Sequence, residues 1–126
     1  MFLLDTNALI WTLSDPEELS NPAKDVITNS DNKLFVSIAT LWETTIKQSI
    51  GKLDLEGDVL DIVEECEREG INILSIQPQH LKKLEKLPLI HRDPFDRLII
   101  SQAIYEDLTI ITKDSMIPKY DVSVLW

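Results

Sequence analysis

Short apolar runs alternate with helix-patterned segments from one end of this chain to the other, and no other feature restricts its possible folds as much. Phe2 to Leu4, Leu34 to Val36, Ile71 to Ile76, Leu108 to Ile111 and Val122 to Val124 are mostly continuous in apolar character. Strands buried on both faces of a parallel sheet have that character. Helical spacing fills the gaps: Leu9 to Leu13, Pro22 to Asn29, Asp58 to Glu69 stopped by Gly70, Pro78 to Lys86, and Pro94 to Glu106. A stripe of Ile38, Leu41, Trp42, Thr45, Ile46 and Ile50 marks one more, ending near Gly51. Right-handed crossovers place such helices on both faces of a sheet. The expected fold is therefore α/β, with a central, mostly parallel sheet of about five strands flanked by helices.

With 126 residues the chain has room for one domain with a real core and is too short for two ordinary ones. Residues 1–126 are read as a single domain, since no repeat, low-complexity tract or linker interrupts them. Met1 runs straight into Phe2-Leu3-Leu4-Asp5 without the basic and long apolar regions of a secretory signal, and no apolar stretch approaches a membrane span. A cytoplasmic location with no membrane association is the expectation. The single cysteine, Cys66, excludes an internal disulfide and falls in a helical stripe with Val59, Ile62 and Val63, which makes it a core residue.

Twelve Lys plus Arg stand against 22 Asp plus Glu, a net charge of −10. That balance argues against a general nucleic-acid coat protein. It leaves room for a nuclease with a local basic rim, and it suits a basic partner.

The acidic residues are not scattered at random. Asp5 directly follows the first apolar run and Asp114 follows Thr112 at the end of another, while Asp93 and Asp96 open the Pro94 helix and Glu43 lies one to two turns into its own. In an α/β sheet, ligands gather at the carboxyl ends of strands, where these four places can converge. Each has a local alternative. Asp5 and Asp93 suit helix N-caps, Asp96 completes something close to a capping box, Glu43 has Lys47 at i,i+4, and Asp114 can cap the turn before Pro118. Taken together they are better explained by a divalent cation, which makes clustered carboxylates favourable. Oxygen ligands without paired His or Cys favour Mg²⁺ or Mn²⁺ over zinc. His80 and His91 lie on different segments, which disfavours a zinc site or a Ser-His-Asp triad, and neither is given a role.

At the level of motifs the chain resembles the PIN domain, specifically the VapC-like toxins of bacterial type II toxin-antitoxin pairs. Met1 to Asn7 is similar to their opening strand and first aspartate, and Val36-Ser37-Ile38-Ala39-Thr40-Leu41-Trp42-Glu43 to their second motif. Lys47 with Gly51-Lys52-Leu53, then His91 to Ala103, then Ile111-Thr112-Lys113-Asp114 match further blocks in order, so the likeness spans essentially the whole chain. The resemblance implies an acidic triad of Asp5, Glu43 and Asp96 with Asp114 as a fourth carboxylate, catalytic and metal-holding together. It implies that Thr6, Asn7, Ser37 and Thr112 line the pocket or orient ligands; Asp93 is read from its helix-start position as an N-cap, with room to face the site as well. The basic residues nearest these motifs, Lys47, Lys52, Arg92, Arg97 and Lys113, become candidates for phosphate contacts. The implied activity is Mg²⁺- or Mn²⁺-dependent hydrolysis of RNA phosphodiesters, by a homodimer held inactive by a cognate antitoxin. The alternative is a PIN-like interaction module that binds metal without turnover.

Overall fold

The computed structural model describes residues 1–126. Side-chain caps set where most of its helices begin. Asp5, Ser20, Ser37, Asp58 and Asp93 each accept a hydrogen bond from a backbone N–H of the turn that follows, satisfying donors that have no partner inside the helix. The helices so started are α1 (Thr6–Ser14), α2 (Asn21–Thr28), α3 (Ile38–Ser49), α4 (Val59–Arg68) and α6 (Pro94–Glu106), with α5 (Pro78–Glu85) opened by Pro78. Because Asp5 is already the cap, α1 starts at Thr6, earlier than the apolar pattern from Leu9 predicts.

The strands are β1 (Phe2–Leu4), β2 (Leu34–Ser37), β3 (Ile71–Leu74), β4 (Thr109–Ile111) and β5 (Val124–Leu125). All pair in parallel, in the order β3-β2-β1-β4-β5. β3 stops at Leu74, short of the predicted Ile76, because its partner β2 ends at Ser37 where α3 begins. β5 lies later than the predicted Val122 to Val124, since Ile110 pairs with Val124 and Ile111 with Leu125.

Alternation along the central strands divides the core in two. Leu4, Val36 and Ile111 face one layer with Ala8, Leu9, Leu41, Ile62 and Cys66. Leu3 and Ile110 face the other with Ala39, Leu98, Ile99, Ile100 and Ala103. Cys66 is fully buried, as its stripe predicts, and desolvation pushes its thiol up to about 11. No helix is long and apolar enough to cross a membrane.

The topology fixes where a ligand belongs. The chain moves outward from β1 to β2 and β3 on one side, then returns to place β4 on the other side of β1. Strand order therefore reverses at β1/β4, and the crevice beyond the carboxyl ends there is the expected binding place. Leu4 is in register with both Val36 and Ile111, so the residues that follow these strands share one edge.

Candidate functional site

Asp5 and Thr112, the residues immediately after β1 and β4, meet at that reversal. The Thr112 hydroxyl donates to Asp5 Oδ2 at 2.5 Å while Asp5 Oδ1 accepts from the Ala8 N–H at 2.8 Å. One aspartate thus caps α1 and faces the crevice. It is only 6% exposed, and its environment is costly for a charge. Desolvation pushes its carboxyl from the ordinary 3.8 to about 6; the Thr112 and Ala8 hydrogen bonds pull it down, and the charges of Asp114 and Glu43 push it up.

Glu43 reaches the same edge from α3. Its Oε1 accepts from the Thr6 hydroxyl at 2.5 Å, and its Oε2 lies 3.1 Å from Lys47 Nζ. The i,i+4 pairing foreseen as an alternative is real, yet it occupies only one of the two oxygens.

Asp96 comes from the first turn of α6. Its cap is Asp93, whose Oδ1 accepts from the N–H groups of Phe95 and Asp96, both at 3.0 Å. The expected near-capping box does not form. Instead of turning back to the Asp93 backbone, Asp96 Oδ2 lies 3.2 Å from His91 Nε2. Desolvation raises the Asp96 carboxyl from 3.8 to about 6; the His91 hydrogen bond opposes this, and the charges of Asp93, Asp114 and Glu43 add to it. Asp114, exposed beyond β4, accepts from the N–H groups of Met116 and Ile117, and its own N–H donates to Thr112 Oγ1. Glu43 and Asp114 thus lie close enough to both Asp5 and Asp96 to act on them electrostatically.

Whether these residues suit a cation has two answers. Their donor chemistry does: carboxylate oxygens, two of them on groups whose charge is disfavoured without a counterion. Their present orientation is not that of a closed cage, because no three acidic or histidine side chains stand near enough together to hold one ion. Each carboxylate is turned toward a protein donor, namely Thr112, Thr6 with Lys47, His91, or backbone N–H groups. Shared ligation requires some of them to turn.

The profile of the PIN domain family matches residues 2–123. The chain belongs to the PIN domain family. Its fold is similar to VapBC2 from Rickettsia felis bound to a promoter DNA fragment, with TM-score 0.72 and 15% identity over 98% of this chain and 96% of that one. It is similar to DNA-bound VapBC from Salmonella typhimurium, with TM-score 0.70 and 18% identity over 98% and 96%. FitAcB from Neisseria gonorrhoeae gives TM-score 0.68 and 20% identity over 100% and 97%. At these identities the likeness establishes the fold. Among curated proteins, no sequence matches the chain.

In this PIN domain two candidates, Ser37 and Arg97, are committed to other partners. Ser37 is fully buried, accepting from the Ala39 N–H and donating to Gln102 Oε1, so it caps α3 and does not line a pocket. The Arg97 guanidinium donates to the carbonyls of Leu87 and Pro88 and to the Tyr120 hydroxyl, which commits it to holding the loop before α6. Asn7, Lys52, Arg92 and Lys113 are exposed, and Lys113 lies over the Trp11 ring. A cavity of about 540 Å³ lies elsewhere, between α1, the loop before α4, and α4.

One partner of the acids, and the residue behind it, went unread in the sequence. His91 touches Asp96, and Tyr120, remote in sequence and 3% exposed, touches His91. The adjacency of His91 to Arg92-Asp93-Pro94-Phe95-Asp96 was the available signal for the first; nothing local marked the second.

Proposed function

We propose that this PIN domain is a Mg²⁺- or Mn²⁺-dependent endoribonuclease, the toxin of a type II toxin-antitoxin pair, acting in the cytoplasm as a homodimer restrained by a cognate antitoxin. The observation that carries the reading is the convergence of carboxylates from four separate places in the chain on the β1/β4 edge, where Asp5 and Asp96 are both pushed to about 6. Carboxylates gathered at such a cost are what a hard cation needs. The fold's similarity to VapBC and FitAB-type complexes supports an antitoxin as partner.

In this mechanism Asp5, Glu43 and Asp96 hold the metal, with Asp114 beside them. When bound, such a cation activates a water and offsets charge on the phosphorus centre undergoing displacement. The protein's own part is orientation. Thr112 holds Asp5, Thr6 holds Glu43, and His91 holds Asp96, so each carboxylate reaches the edge on a hydrogen-bonded support from which it would turn toward a shared cation. Lys47, paired with Glu43, and the exposed Lys52, Arg92 and Lys113 are the candidates for contacts to phosphate oxygens.

The deciding experiment is cleavage of a panel of single-stranded and structured RNAs with and without Mg²⁺ or Mn²⁺, using Asp5→Asn as control. Metal-dependent cleavage lost in the variant is the expected result. Metal binding without cleavage of any RNA would instead identify a non-catalytic metal-binding module.

A further inference from the structure

We propose that Tyr120 locks His91 in its Nε2–H tautomer, making His91 a positioning residue that fixes the Asp96 carboxylate from the loop before its helix. The argument is a count of protons at one oxygen. The Tyr120 hydroxyl lies 3.1 Å from the His91 backbone N, 3.1 Å from an Arg97 guanidinium nitrogen and 2.7 Å from His91 Nδ1. The first two are donors that cannot accept. They occupy the phenolic lone pairs, so the single hydroxyl proton has one acceptor left, His91 Nδ1. A ring nitrogen that accepts carries no proton, which puts the proton of the neutral imidazole on Nε2. That nitrogen lies 3.2 Å from Asp96 Oδ2. The opposite tautomer would crowd a third donor onto the phenol and aim a lone pair at a carboxylate.

The relay is built rather than incidental. Tyr120 is 3% exposed, its ring meets the His91 ring edge-on at 5.4 Å, and the same hydroxyl receives the guanidinium that holds the loop before α6. It therefore joins the chain's C-terminal segment to the first turn of the acid-bearing helix. Outer partners that orient a ligating group typically matter tenfold to a hundredfold in metal affinity. This consequence for metal rests on the nuclease reading; the tautomer does not.

The test uses the whole protein with ¹⁵N-labelled histidine. Long-range ¹H–¹⁵N correlation spectra report which ring nitrogen carries the proton in the metal-free protein. His80 is an internal reference, because the Gln77 N–H donates to its Nδ1 at 2.9 Å and its Nε2 faces Glu106. Wild type is expected to show Nε2–H at His91. Tyr120→Phe should convert His91 to a tautomer mixture, leave His80 unchanged, and weaken Mn²⁺ binding by calorimetry about tenfold to a hundredfold. Should that variant fail to fold, His91→Gln, which retains an N–H toward Asp96, should bind Mn²⁺ more tightly than His91→Leu. An Nδ1–H resonance in wild type, an unchanged tautomer in Tyr120→Phe, or, where wild type binds Mn²⁺, equal Mn²⁺ affinity in the two His91 variants overturns the proposal. A wild-type protein with the locked tautomer but no affinity for Mn²⁺ upholds the relay and refutes the nuclease reading instead.

Discussion

Replacing Asp5 by Asn should stabilise the metal-free protein at alkaline pH while abolishing cleavage. The Asp5 carboxyl titrates at about 6 in the fold against an ordinary 3.8, so the fold favours its neutral form. Its contribution to stability is fully present below about pH 3.8 and is lost as pH rises through about 6; the complete loss corresponds to about 3 kcal/mol. Roughly half of that has gone by about pH 5 and all of it by about pH 8. Asn carries no charge at either pH, though it serves the Ala8 N–H and the Thr112 hydroxyl less well, at a cost of about 1 kcal/mol. Relative to wild type, Asp5→Asn should therefore gain about 1.5 kcal/mol between about pH 5 and pH 8. For a chain this long that widens the difference in Tm by roughly 4–9 °C. Thermal unfolding of both proteins in chelator, at the two pH values, measures it. A Tm difference that does not change with pH would show that Asp5 is not a desolvated carboxylate in the folded state.

The cation itself should raise wild-type stability by about 2.7 kcal/mol at a hundredfold excess over Kd. Its effect should be smaller near pH 5 than near pH 8, since protons compete for carboxylates that titrate at about 6, and parallel melts with and without Mg²⁺ check this. Asp96→Asn and Asp93→Ala should give opposite patterns: the first keeps the fold and loses cleavage, while the second removes the α6 cap, costs about 1 kcal/mol and retains most cleavage. Both are read by Tm and nuclease rate on one preparation. Lys52→Gln should flatten the salt dependence of RNA binding without moving Tm, whereas Arg97→Gln should lower stability by roughly 2–4 kcal/mol through three lost hydrogen bonds. An unchanged salt slope in the first, or an unchanged Tm in the second, reverses that division of roles.

The contrast between Lys52 and Arg97 shows what a sequence discloses here and what it hides. Strand and helix placement was legible because apolar period and capping residues are local, and the places of Asp5, Asp96 and Asp114 in the fold were legible because they follow from strand ends and a helix start. The charge on Arg97 was equally visible, but its use depends on carbonyls at Leu87 and Pro88 and on a hydroxyl at Tyr120, which only the folded loop brings together. Ser37 fails as a pocket residue for the same reason. Its partner Gln102 is brought to it by the packing of α6 against α3, and no periodicity in either helix announces that pair.

The partners of the four acids explain how such an edge can exist before any cation arrives. Thr6, Thr112 and the N–H groups of Met116 and Ile117 are neutral donors, and Lys47 is the one fully charged group among the contacts made to the acids. Neutral donors orient a carboxylate and lower its pKa without cancelling its charge. Full pairing with Arg or Lys would make the fold more stable, but a cation would then have to displace a like charge at each ligand. The arrangement leaves Asp5 and Asp96 near a pKa of about 6, partly compensated, with the remainder of the penalty available as binding energy for a metal. Relief of the penalty carried by the metal-free carboxylates is thus one part of the affinity for a cation, so a substitution at Asp5 that removes the penalty should also weaken metal binding.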